Sequence, residues 1–184
     1  MILALTAAGC AGGYHVERSV DADGVAVDRM VGNEIGIEGE GEYSEYAIAG
    51  SRMDLAGVEE QCYLDAVRHS GSVRPPTYYL LLSYSGPRDL HIVNRRSLTL
   101  VIDENASVTL SGRGDVERKA EEVNKTYTES FYYLVPAEVL VRIADAKKVD
   151  VLVAGQEFEL KCYFLDRNFD NFRRFVKQFV AWAK

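Results

Sequence analysis

Apolar and polar residues along this chain follow two periods. Alternating patterns and short apolar runs predict β-strands, whereas apolar residues spaced three and four apart predict helices. The strongest strand pattern is TYYLLLSYS at 77–85, which Gly86-Pro87 brings to an end. The other predicted β segments are hairpins at 16–31, 97–112 and 149–164 and single strands at 46–57, 59–69 and 126–135.

The last third of the chain carries both helical patterns. In 136–148, Val139, Leu140 and Ile143 share one helix face, and 165–184 repeats apolar residues at helical spacing behind Asp166, the predicted N-cap. Strands joined by short turns pair in antiparallel fashion. The pattern therefore predicts an α+β fold, a mostly antiparallel sheet of hairpins with two C-terminal helices packed on one face.

The polar segment 112–125 is predicted to be a surface loop between strands. It contains Arg113-Gly114-Asp115, the tripeptide of integrin ligands, which we interpret as a turn because three residues recur by chance. Six tyrosines favour either core packing or an exposed aromatic face that binds sugars or peptides. They are Tyr78, Tyr79, Tyr84, Tyr127, Tyr132 and Tyr133.

The size and charge of the chain exclude some classes of partner. Its 184 residues can bury a sizeable core, and its net charge of −7 disfavours nucleic acid and electrostatic docking on anionic lipid. No apolar run approaches the roughly 20 residues that a membrane helix needs.

The first ten residues predict where the protein resides. Small residues Ala7, Ala8 and Gly9 precede Cys10, and this pattern resembles the lipobox of bacterial lipoproteins. The resemblance implies cleavage before Cys10, a diacylglyceryl group on its sulfur, and residues 1–9 as a signal-peptide remnant. A signal also needs a basic start, which we expect upstream of Met1. The alternative interpretation is an ordinary buried first strand.

A second resemblance covers the last third of the chain. Leu140, Ile143, Ala144, Ala146 and Val149 are followed by Asn168, Phe172, Arg173 and Phe175. This helix, hairpin and helix pattern is similar to the C-terminal part of uncharacterised bacterial secreted proteins and lipoproteins. The resemblance implies fold and location, and it carries no catalytic residue.

Two further cysteines, Cys62 and Cys162, lie on apolar strand faces. In an oxidising compartment an even pair indicates a candidate disulfide, whereas buried thiols are the alternative. Both interpretations stay open from sequence.

The chain shows no nucleophile with a neighbouring base, no metal-binding spacing and no cofactor motif. We predict a lipidated tether and light β lead-in at 10–45, and one globular domain at 46–184. The predicted function is a non-catalytic binding or scaffolding module of the bacterial envelope, anchored to the membrane, with a protein or glycan partner. The alternatives are a soluble unlipidated interaction protein and an envelope hydrolase that uses His69 or His91.

Overall fold

A computed structural model describes residues 14–38, 60–71, 75–93, 95–121, 126–156 and 158–180. These residues form eleven strands and two helices. The strands are β1 Val16–Val20, β2 Ala26–Met30, β3 Glu34–Ile37, β4 Gln61–Ser70, β5 Thr77–Gly86, β6 Leu98–Ile102, β7 Ala106–Leu110, β8 Gly112–Glu121, β9 Thr126–Leu134, β10 Val149–Ala154 and β11 Glu159–Tyr163. The helices are α1 Ala137–Asp145 and α2 Asp166–Phe179.

All these strands belong to one antiparallel sheet. Its order is β7-β6-β10-β11-β3-β4-β5-β9-β8, and β2 pairs with β4 beside β3 and carries β1. The end strands β7 and β8 are separated in the chain only by Ser111, so the sheet curls until it is nearly barrel-shaped. The predicted antiparallel sheet with two helices in the C-terminal third is confirmed.

Residues 26–37 form one bent ribbon. Its first half, β2, pairs with the second half of β4, and its second half, β3, pairs with the start of β4 and also with β11. Gly32 adopts φ +73° at the bend, a conformation that strains any residue with a Cβ. The glycine therefore allows the ribbon to turn and join the two halves of the sheet.

One apolar core receives the inner face of the sheet and both helices. In β6, β10 and β11 every second residue is buried, as the strand period of two requires. The two helices pack against each other, and they bury Val139, Leu140, Ile143 and Ala144 from α1 and Phe169, Phe172, Phe175, Val176 and Phe179 from α2. Tyr78, Tyr84 and Tyr133 are buried too. Tyr79 and Tyr132 lie on the opposite face of β5 and β9 with their ring centres 6.2 Å apart, and Tyr132 is 38% exposed, so the tyrosines divide between core packing and the outer face.

A buried polar group fixes the bend of the ribbon to β4. The backbone N–H of Asn33 donates to Oδ1 of Asp65 at 3.0 Å, and its side-chain amide donates to the carbonyl of Leu64 at 2.8 Å. The guanidinium of Arg29 donates to Oδ2 of Asp65 at 2.8 Å. Burial raises the pKa of Asp65, and the Arg29 and Asn33 hydrogen bonds oppose that rise.

The same asparagine also fixes helix α2. Asn168 donates from its side-chain amide to Oδ1 of Asn33 at 2.9 Å and to the carbonyl of Glu34 at 2.8 Å. Asn171 adds a bond to the same Asn33 oxygen at 3.0 Å. Oδ1 of Asn168 accepts the backbone N–H of Leu165 at 2.7 Å, which caps the start of α2.

Two sequence-based predictions are wrong, and one lies outside the described residues. Asp166 is the first helical residue of α2, because Leu165 occupies the N-cap and Asn168 satisfies its backbone. Much of the predicted surface loop 112–125 is strand β8, which pairs with β9 through its backbone while most of its side chains stay exposed. The predicted strand at 46–57 is among the residues that the structure does not describe.

We expect Asn33→Ala to lower the free energy of unfolding by about 2–4 kcal/mol, because it leaves buried amide and carbonyl groups unpaired. Asn171→Ala is the control: it removes a single half-buried bond, so we expect a loss below about 1.5 kcal/mol. Denaturant titration measures both. Equal, small losses would show that the network does not hold the ribbon.

Candidate functional site

A cleft of about 600 Å³ lies beside β8, the end strand of the curled sheet. One wall is strand β8, and the other consists of Ile92, Val93 and Arg95 after β5 together with Gln156 after β10. Ile92 forms an isolated antiparallel bridge with Gly155 on that second wall. The lining residues are Ile92, Val93, Arg95, Asp115, Val116, Arg118 and Gln156.

A bulge in β8 shapes the first wall. The pairing of β8 with β9 shifts register between Arg113 and Glu117, and Gly114 adopts φ +79° within the shift. A bulge leaves residues unpaired and redirects their side chains. Asp115 and Val116 therefore line the cleft, and the tripeptide 113–115 lies at the start of the bulge rather than in a loop turn.

A buried carboxylate holds both walls together. Glu129 of β9 is only 1% exposed, and its Oε1 accepts the backbone N–H of His91 at 2.6 Å. Its Oε2 accepts the N–H of Ile92 at 2.7 Å and Nε of Arg118 at 3.1 Å. Nη2 of Arg118 donates to the carbonyl of Ile92 at 2.6 Å. These four bonds fix the second wall against β8 and β9.

The backbone at His91 is strained. Its φ is +49°, which a residue with a side chain rarely adopts outside turns. Three contacts hold it there: the N–H bond to Glu129, the bond from the Gln156 N–H to the His91 carbonyl at 3.1 Å, and a polar contact between Nδ1 and Oδ1 of Asp89 at 3.0 Å. Strain of this kind persists only where the surroundings over-determine the conformation.

A second carboxylate anchors the start of the same segment. Glu60 accepts the hydroxyl of Tyr84 and Nε of Arg88, each at 2.8 Å. The Arg88 guanidinium also lies 4.2 Å from the centre of the Phe158 ring. Burial and the Glu60 charge raise the pKa of Tyr84, which keeps its phenol protonated as a donor. Residues 88–92 are thus fixed at both ends.

Several polar groups of the cleft keep bonding capacity. Within the described residues, Nη1 of Arg118 and the guanidinium of Arg95 make no hydrogen bond. The side chains of Asp115 and Gln156 likewise have no hydrogen-bond partner among those residues. The cleft therefore offers guanidinium donors, a carboxylate and an amide beside the apolar side chains of Ile92, Val93 and Val116.

Cys62 and Cys162, the predicted disulfide pair, lie side by side in the core. Cys62 of β4 pairs with Ile35, and Cys162 of β11 pairs with Ile37, so only strand β3 separates their strands. Both thiols are free and buried. A hydrogen bond with the Cys162 side chain and burial hold the pKa of Cys62 well above its usual value. The disulfide itself stays a prediction.

The other candidate residues do not assemble into a reactive group. Cys10 lies outside the described residues, His69 contacts the Tyr79 ring at 5.0 Å, and His91 contacts Asp89. No hydrogen bond joins a histidine to a cysteine, serine or threonine side chain in the described part of the chain. The same residues hold no cluster of three metal-ligating side chains. Neither described helix has the length and apolar character needed to cross a membrane.

Sequence reasoning did not identify Glu129 or the cleft. Glu129 alternates with Phe131 and Tyr133 on the buried face of β9. A charged residue in that alternation is the signal that could have indicated it, since carboxylates are almost never buried without partners. Its partners come from distant segments that no local pattern connects.

Comparisons of the whole chain with protein-family profiles, with curated proteins and with solved structures found no match.

We expect Glu129→Gln to cost about 2–4 kcal/mol of unfolding free energy, because the amide cannot accept all three donors and leaves Arg118 without its counter-charge. Glu117→Gln, an exposed change on β8, serves as the control and should stay within about 0.5 kcal/mol of wild type. Denaturant titration measures both values. A Glu129 variant as stable as the control would mean that this carboxylate does not hold the walls.

Proposed function

We propose that the protein is a bacterial cell-envelope lipoprotein whose β-rich body is a non-catalytic binding module. The cleft between β8 and the residues 92, 93 and 95 is its binding site. In this proposal the two helices cover one face of the sheet, and the cleft lies beside the end strand β8. The partner is a protein or a glycan rather than nucleic acid, since the chain carries a net charge of −7.

The observation that supports binding is the placement of Glu129. Burying a carboxylate is costly, and a well-packed apolar residue in that place would often be neutral or better for stability. Here the carboxylate orders the backbone at 91–92 and positions Arg118 at the edge of a cleft. Binding sites require such support behind the side chains that touch a ligand. The cleft volume also falls in the range of small-ligand sites.

The anchor is proposed from the lipobox-like residues before Cys10. A diacylglyceryl group supplies two acyl chains, and two chains are enough for stable membrane attachment. The glycines at 12 and 13 would serve as a flexible tether between the lipid and the body. The membrane is thus reached through the lipid, while the cleft stays free for a partner.

We expect the wild-type protein, expressed in a bacterial host with its upstream codons, to enter the detergent phase with a diacylated Cys10 as its first residue. Cys10→Ser should give a water-soluble, unlipidated chain, whereas Ala11→Ser, the neighbouring control, should behave as wild type. Intact mass and detergent partition measure both properties. A wild-type chain that is uncleaved and water-soluble would contradict the anchor and favour the soluble interaction protein.

We also propose that Cys62 and Cys162 form a disulfide in the oxidising envelope. The support is their adjacency across β3, with a hydrogen bond between the side chains. Exchange with a small-molecule disulfide would take one hydrogen from each thiol, form the S–S bond and release two reduced thiols. The chain-entropy account gives such a long loop a stabilisation of about 4–5 kcal/mol.

The burial of both thiols, which also raises the pKa of Cys62, determines when this bond forms. Exchange requires a thiolate, and a buried thiol with a raised pKa supplies very little of it in the folded state. We therefore expect refolding of the reduced Cys10→Ser chain, which keeps only Cys62 and Cys162, with oxidised glutathione to remove two hydrogens from its mass. The same reagent added to the folded reduced protein should leave the mass unchanged.

Cys162→Ser added to the Cys10→Ser chain is the control in both arms, because its one remaining thiol, Cys62, cannot form a bond within the molecule. Intact mass spectrometry after blocking free thiols provides the readout. Two blocked thiols in the refolded Cys10→Ser chain would contradict the disulfide and leave the pair as buried thiols.

A further inference from the structure

We infer that the cleft binds a short zwitterionic peptide. Its carboxylate is bound by the guanidiniums of Arg95 and Arg118, and its ammonium group by Asp115. The inference rests on the proposed function, because it names the ligand class of the same cleft.

The balance of charges in the cleft points to a ligand with both signs. The charge of Arg118 is matched by Glu129, with Nε and Oε2 3.1 Å apart. Arg95 and Asp115 remain as the unmatched cation and anion, one on each wall, with no ion pair among the described residues. A simple anion would leave Asp115 unmatched, and a simple cation would leave Arg95 unmatched.

Arg118 is prepared to receive a carboxylate. Its Nε and Nη2 are held by Glu129 and by the carbonyl of Ile92, so binding would immobilise little further side-chain freedom. Arg118 is an exposed residue, and its Nη1 makes no hydrogen bond within the described residues. Arginine binds carboxylates through charge-assisted bonds that are stronger than neutral ones.

The rest of the lining suits a peptide rather than a zwitterion that has no apolar side chain or amide group. Ile92, Val93 and Val116 provide an apolar surface that can receive an aliphatic side chain. Gln156 offers an amide that can donate to and accept from a peptide bond. A dipeptide such as Ala-Val carries all four matching features: ammonium, amide, aliphatic side chain and carboxylate.

The test is a calorimetric titration of the full chain with three probes: Ala-Val, its N-acetylated form and its C-amidated form. We expect each cap to weaken binding by roughly ten-fold or more, because it removes one charge-assisted contact. Arg95→Gln should weaken Ala-Val but barely change binding of the amidated peptide. Asp115→Asn should weaken Ala-Val but barely change binding of the acetylated peptide.

Arg96→Gln is the matched control, because this neighbouring exposed arginine does not line the cleft and should leave all three affinities unchanged. Equal binding of the free and capped peptides would overturn the zwitterionic ligand while keeping the cleft as a binding site. Binding that none of the variants changes would place the peptide elsewhere and overturn the inference. Absence of any binding would overturn it too, while the Cys10 partition would still decide the anchor independently.

Discussion

The hydrogen bonds of Asn33 are the interaction on which the rest of this structure depends. They join the bent ribbon 26–37 to β4 through Asp65 and Leu64, and to α2 through Asn168. The ribbon must turn there, because its second half pairs with both β4 and β11 and so connects the two halves of the sheet. A turned ribbon exposes backbone groups inside the core, and such groups are tolerated only when they are paired. Two asparagines and an aspartate supply those partners.

The cleft follows from the same curvature. A sheet that curls on two continuous ribbons, 26–37 and 106–121, brings its ends together without pairing them. The second ribbon passes from β7 to β8 at Ser111 and bulges at 114–116, where Asp115 and Val116 line the cleft. The hydrogen bonds of Glu129 and Arg118 join β9 and β8 to Ile92, so the cleft has fixed walls. The position of the cleft is thus a consequence of how the sheet ends.

Sequence reasoning identified what local periodicity controls. The three hairpins, the long strand at 77–85 and both helices follow from patterns within a few residues, and the structure contains each of them. Strand β8 was not predicted because most of its side chains are exposed, and a polar sequence indicates exposure rather than backbone pairing. The bend at Gly32 and the role of Glu129 were not predicted from the sequence, because both depend on the order of the strands in the sheet. β4 pairs with strands on either side of it in the chain, and no local pattern specifies that.

The two cysteines show how strand order produces a contact that chain separation conceals. Cys62 and Cys162 lie a hundred positions apart, yet they are neighbours because β3 brings β4 and β11 within reach of each other. As thiols they already pack like small apolar side chains, so the folded state gains little from oxidation except its effect on the unfolded chain. A bond between them would connect the strands on either side of β3 and constrain the ribbon that Asn33 turns. The stability of this sheet would then depend on two constraints: the polar network at the bend and a covalent link across β3, the strand that follows the bend.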